Sequence, residues 1–91
     1  MNKEDLIKEI SKKTRLSQKL TAEVINLTLE SIQKSVAKGK KVVFVGFGSF
    51  ELRQRKARTG RNPQNGKEIQ IPSKKVPVFS AGKKFKEMAN S

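Results

Sequence analysis

The strongest pattern in the chain is a helical one after Ser17. Hydrophobic residues recur there at the three- and four-residue spacing that places them along an α-helix. They are Leu20, Val24, Ile25, Leu27, Leu29, Ile32 and Val36. At about 100° per residue they spread over an arc of roughly 200°, about twice the width that a one-sided surface helix needs. We therefore expect this helix to bury two flanks, one of them against a second copy of the chain.

A shorter helix is predicted before it, up to a break at Arg15 and Leu16. Asn2 can cap this first helix, and its narrow apolar face consists of Leu6, Ile7 and Ile10. Ser17 can cap the long helix, and Gly39 can end it. The first 38 residues are therefore predicted to form two helices.

Beyond the long helix the pattern becomes that of β-structure. The β-branched and aromatic run 41–45 predicts a strand, 46–48 a turn and 49–58 a second strand. Ser80 can cap a short final helix. We therefore assign the chain to the α+β class, with a helical base of two N-terminal helices, a three-stranded antiparallel sheet and a short C-terminal helix.

Residues 53–75, called the arm below, are poor in hydrophobic residues and contain three that favour turns, Gly60, Pro63 and Gly66. Both flanks of this segment look extended, and Glu68 to Ile71 alternate polar and apolar. We predict a long β-ribbon that extends from the sheet and returns to it. The chain is then a single domain, 1–91, with 1–52 and 76–91 as the body.

Composition excludes several classes of function. The chain has 91 residues and contains neither Cys nor His. It therefore lacks thiol chemistry, the commonest metal ligand and the usual general base. We expect no enzyme, no metal and no cofactor. No apolar stretch approaches a membrane span, so we expect no membrane partner.

The charge balance indicates a polyanionic partner. The sequence has 21 Lys and Arg against 8 Asp and Glu, a formal net charge of +13. Such a field attracts nucleic acid. The arm contains one acid, Glu68, and eight cations, which are Arg53, Arg55, Lys56, Arg58, Arg61, Lys67, Lys74 and Lys75.

At the arm's tip, Arg61 and Asn62 can hydrogen-bond base edges or sugars in the minor groove. Pro63 can act as a rigid wedge that unstacks a base step and kinks the duplex. On the body, Lys3, Lys83 and Lys86 are candidates for further phosphate contacts.

The five phenylalanines are nearly the only large side chains that can fill a core. We expect them to pack in the core and at a dimer interface rather than to stack on bases. The residues expected at that interface are Val24, Leu29, Ile32, Val36, Phe44, Phe47, Phe50 and Phe79.

Three segments together resemble the bacterial histone-like HU family and the related integration host factor subunits. They are Gly46–Phe50, Ala57–Ile69, and a last segment made of Val76-Pro77 with Phe79–Lys83. The resemblance implies an intertwined dimer whose two arms wrap the minor groove. It implies that Pro63 intercalates and that Arg55, Arg58 and Arg61 are arm contacts.

The resemblance also implies binding to double-stranded DNA with little sequence preference, and a preference for bent, nicked or distorted DNA. The protein would then bend, wrap and compact DNA in the cytoplasm, in a nucleoid. A plastid nucleoid fits equally well if the protein is organelle-encoded.

Two alternatives stay open from the sequence. One is a sequence-specific bender of the integration host factor type, usually a heterodimer, whose specificity comes from DNA deformability. The other is RNA binding, because phosphate attraction alone does not exclude RNA. The wide, shallow minor groove of duplex RNA suits a narrow-groove arm poorly.

Overall fold

The computed structural model describes all residues, Met1–Ser91. It contains three helices and five strands, which confirms the predicted α+β class. The helices are α1 (Lys3–Thr14), α2 (Gln18–Ala37) and α3 (Lys83–Ala89). The strands are β1 (Val42–Phe44), β2 (Gly48–Arg55), β3 (Arg58–Arg61), β4 (Glu68–Ile71) and β5 (Lys74–Ala81). The chain divides into two compact units, residues 1–34 and 35–91.

The ends of α1 and α2 follow the predicted capping signals. Asn2 accepts a hydrogen bond from the Asp5 backbone N–H, and the Asp5 side chain accepts one from the Asn2 N–H, which is a capping box. The Ser17 hydroxyl accepts a hydrogen bond from the Leu20 N–H at 3.1 Å. Gly39, at φ +87°, lies just after the end of α2 and donates to the Val36 carbonyl. Local hydrogen bonds therefore fix where these two helices begin and where α2 ends.

The strands form two antiparallel sheets. The first has the order β1-β2-β5, and the second consists of β3 and β4 alone. Strand β2 pairs with β5 along its whole length, from Gly48 opposite Ala81 to Arg55 opposite Lys74. The three-stranded sheet and the ribbon beyond it confirm the predicted topology. Pro77 lies in β5, an edge strand, as a residue without a backbone N–H should.

Two sequence predictions about this region were wrong. The strand predicted over 49–58 is interrupted at Lys56 and Ala57, where β2 ends and β3 has not begun. Ser80 does not cap α3, because it is still paired with Ser49 in the sheet. The cap is Gly82, whose N–H donates to the Phe47 carbonyl at 2.8 Å. A Cβ at Gly82 would lie 3.3 Å from the Phe47 backbone, so this close approach favours glycine.

A single chain buries very little of its hydrophobic surface. Val36, 5% exposed, is its one buried hydrophobic residue. Large side chains on α2, on the sheet and on α3 stay exposed, among them Leu27, Phe47 and Met88. Exposed apolar area on this scale marks a surface that another molecule covers. None of the three helices combines the length and hydrophobicity needed to cross a bilayer.

Candidate nucleic-acid interface

The three-stranded sheet has one apolar face. Phe50 and Leu52 of β2 lie opposite Phe79 and Pro77 of β5, and residues paired in this way share a face. The rings of Phe50 and Phe79 are 4.9 Å apart between centroids. The phenylalanine cluster consists of Phe44, Phe47, Phe50, Phe79 and Phe85, with neighbouring centroids 4.9–6.4 Å apart. This face is apolar, whereas Arg53, Arg55 and Lys74 lie on the other one.

The opposite face of the sheet is mixed, since it carries Val43, Val76 and Val78 beside its polar and charged residues. Arg53 donates from Nε to Glu51 Oε1 at 3.0 Å and from a terminal nitrogen to the Ser80 hydroxyl at 3.5 Å. Both partners hold the guanidinium over the strands. Arg53 is therefore partly neutralised, and it is a weaker candidate for phosphate binding than the unpaired arm cations.

The root of the arm is where β2 and β5 end their pairing, at Arg55 and Lys74. Cations lie opposite one another there without acids between them. Arg55 pairs with Lys74 in the register, and Gln54 pairs with Lys75. Like charges directly opposite each other on a sheet destabilise it. An anion placed between Arg55 and Lys74 would relieve this repulsion, which makes the root a good phosphate site.

The β3–β4 ribbon also has two different faces. Thr59 and Arg61 lie opposite Gln70 and Glu68, and these four residues form the polar face. The other face is made of Arg58, Gly60, Ile69 and Ile71. A Cβ on Gly60 would lie 3.1 Å from Ile71 Cδ1, so the isoleucine side chain lies over the glycine. Arg61 and Glu68 are opposite in the register but form no ion pair, which leaves the guanidinium free to bind an anion.

The tip loop, residues 62–67, is closed by hydrogen bonds of its own. The Asn62 N–H donates to the Lys67 carbonyl at 2.8 Å, and the Gly66 N–H donates to the Asn62 carbonyl at 2.8 Å. Pro63 is exposed within this closed loop. Lys67, at the loop's far end, is also exposed and forms no ion pair.

The body candidates lie at helix starts and on α3. Lys3 begins α1, Lys83 begins α3, and Lys86 follows one turn later. All three are exposed and lack an acidic partner within 4.0 Å. The charge is unequal between the two units, since residues 35–91 hold 14 of the 21 basic residues and three of the eight acids. The positive field therefore belongs mainly to the unit that carries the sheet and the arm.

The residues expected at a dimer interface divide into three groups by exposure. Most of them present open surface, and these are Val24, Leu29, Phe44, Phe47 and Phe79. Ile32 and Phe50 are half-buried. Val36 is already buried in the single chain, so almost none of its surface remains accessible to a partner.

Sequence reasoning missed several residues that belong with these surfaces. Val45 is large and apolar, and it is 100% exposed. Glu51 was overlooked as the partner of Arg53, since a pairing within a strand needs the face of each residue to be known. The Asn65-Gly66 dipeptide, a common turn signal, could have identified the second half of the tip loop.

Comparison with known proteins identifies the family. Residues 1–90 match the family model described as bacterial DNA-binding protein. The DNA-binding protein HU of Staphylococcus aureus is 53% identical over 87 residues, which cover 96% of this chain and 97% of the relative. The solved cocrystal structure of Anabaena HU with DNA has a TM-score of 0.90 and 46% identity, covering 98% of this chain and 97% of that one. HU from Thermotoga maritima has a TM-score of 0.71 and 34% identity over 98% of each chain.

Family membership also confirms the prediction that the chain is no enzyme. The helical pair, the sheet with its cationic ribbon, and these similarities over nearly the whole length lead to one conclusion. The chain belongs to the HU family of histone-like bacterial DNA-binding proteins.

Proposed function

We propose that two copies of this chain form a dimer that bends double-stranded DNA by inserting both arms into the minor groove. The observation that carries the proposal is the exposed Pro63 in a closed loop, at the end of a ribbon whose cations are almost all unpaired. Phosphate contacts along the ribbon would supply affinity without reading sequence. The proline would supply the kink.

The minor groove suits the ribbon's chemistry. A narrow minor groove has an enhanced negative potential that attracts arginine. Arg55, Arg58 and Arg61 are exposed along the ribbon and have no acidic partner within 4.0 Å. Lys56, Lys67, Lys74 and Lys75 extend the same charge, and Lys3, Lys83 and Lys86 would continue it onto bent flanking DNA.

An intercalating proline favours DNA whose base pairs unstack easily. Inserting a side chain between base pairs costs on the order of a few kcal/mol per step, which the extra contacts of the bent duplex offset. A nick or mismatch has already lost part of the stacking energy. The protein should therefore prefer nicked, mismatched or pre-bent DNA over intact duplex.

The exposed apolar side chains support the proposal that a second copy of the chain binds to the first. Leu27 and Leu29 on α2 are both about half exposed, and so is Phe47 in the phenylalanine cluster. Burial of apolar surface stabilises by roughly 25 cal/mol per Å². A small basic domain with one buried hydrophobic residue needs that contribution from a partner. These features support a homodimer, and the bacterial HU relatives support action on the nucleoid in the cytoplasm.

The test compares the binding of intact, nicked and mismatched duplexes of one sequence, with donor and acceptor dyes at the ends. We expect tighter binding to the nicked and mismatched forms and a rise in energy transfer on binding to all three. Equal affinity for the three, together with unchanged transfer, would overturn the proposal. Competition with random-sequence duplex completes the test, since a strong preference for one sequence would indicate the integration host factor type.

A further inference from the structure

We propose that Asn62 and Asn65 are positioning residues that lock the tip loop into the shape that presents Pro63. This inference rests on the proposed wedge function of that proline. It assigns to Asn62 a different main role from the base contact expected from the sequence.

Asn62 forms three hydrogen bonds within the tip loop. Its backbone N–H donates to the Lys67 carbonyl, and its carbonyl accepts from the Gly66 N–H, both at 2.8 Å. Its side-chain Oδ1 accepts from the Gln64 N–H at 3.0 Å. This last bond bridges Pro63, since it joins the residue before the proline to the residue after it. Asn62 is also half-buried, whereas Pro63 and Gln64 are exposed.

Asn65 closes the other half of the loop in the same way. Its Oδ1 accepts from the Lys67 N–H at 3.0 Å, again two residues ahead. Gly66 takes φ +69°, a left-handed conformation that costs glycine little. Each asparagine thus supplies a side-chain acceptor to a backbone N–H that would otherwise point to water.

The two side-chain bonds make the loop stiff before any DNA is bound. Ordering a flexible loop during binding lowers affinity, and a loop that is already ordered avoids this cost. An intercalating side chain must also keep its position while it separates two stacked base pairs. The loop that carries it must therefore keep its conformation. Proline fixes its own φ, and the Asn62 side-chain bond joins the residues on either side of it, while the Asn65 bond holds the returning half of the loop.

The competing role for Asn62 is minor-groove hydrogen bonding. The groove floor presents mainly acceptors, so such a contact would use the Nδ2 donor rather than Oδ1. The two roles therefore depend on different atoms of one side chain. Asn62→Asp keeps the Oδ1 acceptor and removes the donor, while Asn62→Ala removes both.

The first test is amide hydrogen exchange of the free full-length protein, followed by NMR. We expect the Gln64 and Lys67 N–H groups to exchange more slowly than an unstructured chain. Asn62→Ala should speed exchange at Gln64, and Asn65→Ala at Lys67, each by about threefold to tenfold, the loss expected for one hydrogen bond. Unprotected amides in the unaltered protein would overturn the inference, whatever the protein does to DNA.

The second test measures the bend of an end-labelled duplex by energy transfer at saturating protein, so that altered affinity does not affect the result. Asn62→Asp should keep most of the bend, whereas Asn62→Ala and Asn65→Ala should each lose a clear part of it. Gln64→Ala is the matched control, because that side chain forms no hydrogen bond in the loop. If Asn62→Asp fails as badly as Asn62→Ala while Asn65→Ala bends normally, the base-contact role is correct and the positioning role is wrong. If the unaltered protein does not bend DNA, the wedge function fails, and the exchange result still decides whether the loop is locked.

Discussion

Pro63 combines a rigid ring with a backbone nitrogen that needs no hydrogen-bond partner. It is exposed, and hydrogen bonds hold the loop around it. These properties suit an apolar group that enters a stack of bases. The neighbouring Arg61 has a different character, since its unpaired guanidinium offers charge and a planar hydrogen-bonding fork.

Replacing Pro63 with alanine should reduce the bend more than the affinity. The wedge is lost, but the phosphate contacts of the arm are kept. Energy transfer across a labelled duplex measures the bend, and titration of the same duplex gives the dissociation constant. Pro77→Ala, in an edge strand of the body, is the control and should leave the bend unchanged. An unaltered bend in Pro63→Ala would show that the ring does not kink DNA.

Replacing Arg61 with alanine should weaken binding to all sequences alike. One phosphate contact contributes about 0.9 to the slope of log K against log salt, so that slope should fall by about one. Lys34→Ala removes a cation already paired with Glu30 at 2.7 Å, and should leave the slope unchanged. Salt titrations of the three proteins make the comparison. An Arg61→Ala slope equal to that of the unaltered protein would remove this residue from the interface.

At the scale of elements, the sheet depends on a close approach between β2 and β5. A Cβ at Gly48 would lie 2.5 Å from the Ser80 carbonyl oxygen and 2.6 Å from the Phe79 ring. The Ser80 carbonyl belongs to the backbone of the β2–β5 pair, so it cannot move aside without disturbing the sheet. The same strand, β2, continues into the arm at Arg53 and Arg55. This contact therefore supports the start of the arm.

Gly48→Ala should therefore destabilise the fold by about 1–3 kcal/mol, the usual cost of overpacking. A domain of this size loses roughly 4–8 °C in Tm for each kcal/mol. Gly39→Ala is the comparison, because a Cβ there meets no atom within 4 Å although φ is +87°. Thermal unfolding at one protein concentration measures both variants. A smaller loss for Gly48→Ala than for Gly39→Ala would contradict the close approach.

At the scale of the whole molecule, apolar exposure and positive charge have different distributions. Large hydrophobic side chains are exposed on α2, on α3, at Val45, which is 100% exposed, and at Ile69 and Ile71 in the arm. The unpaired cations concentrate in the arm. The exposed apolar side chains outside the arm therefore favour a protein partner, and the arm favours an anion.

Sedimentation of the free protein should accordingly give twice the mass of the chain. Its Tm should rise with protein concentration, because association stabilises only the folded state. Dilution at constant salt, followed by thermal unfolding, tests the linkage. A folded monomer whose Tm does not depend on concentration would exclude the dimer.

The sequence by itself determined the helices and the character of the arm. The α2 pattern, the caps at Asn2 and Ser17, and the excess of cations depend on residues near one another or on composition, so they could be recognised without a fold. The tip was recognised in part, because Pro63 and Gly66 impose their own backbone preferences, whereas Gly60, also expected to favour a turn, lies in β3 opposite Ile69. The pattern of α2 also predicted an uncovered flank, which Leu27 and Leu29 now display.

Only the tertiary structure decided what depends on pairing between distant segments. The register opposes Arg55 to Lys74 and keeps Ser80 in the sheet, so that Gly82 caps α3 instead. It also gives the ribbon two faces and ends β2 before Lys56. Local preferences alone do not select among these alternatives, because strand pairing depends on residues up to 33 positions apart, from Gly48 to Ala81.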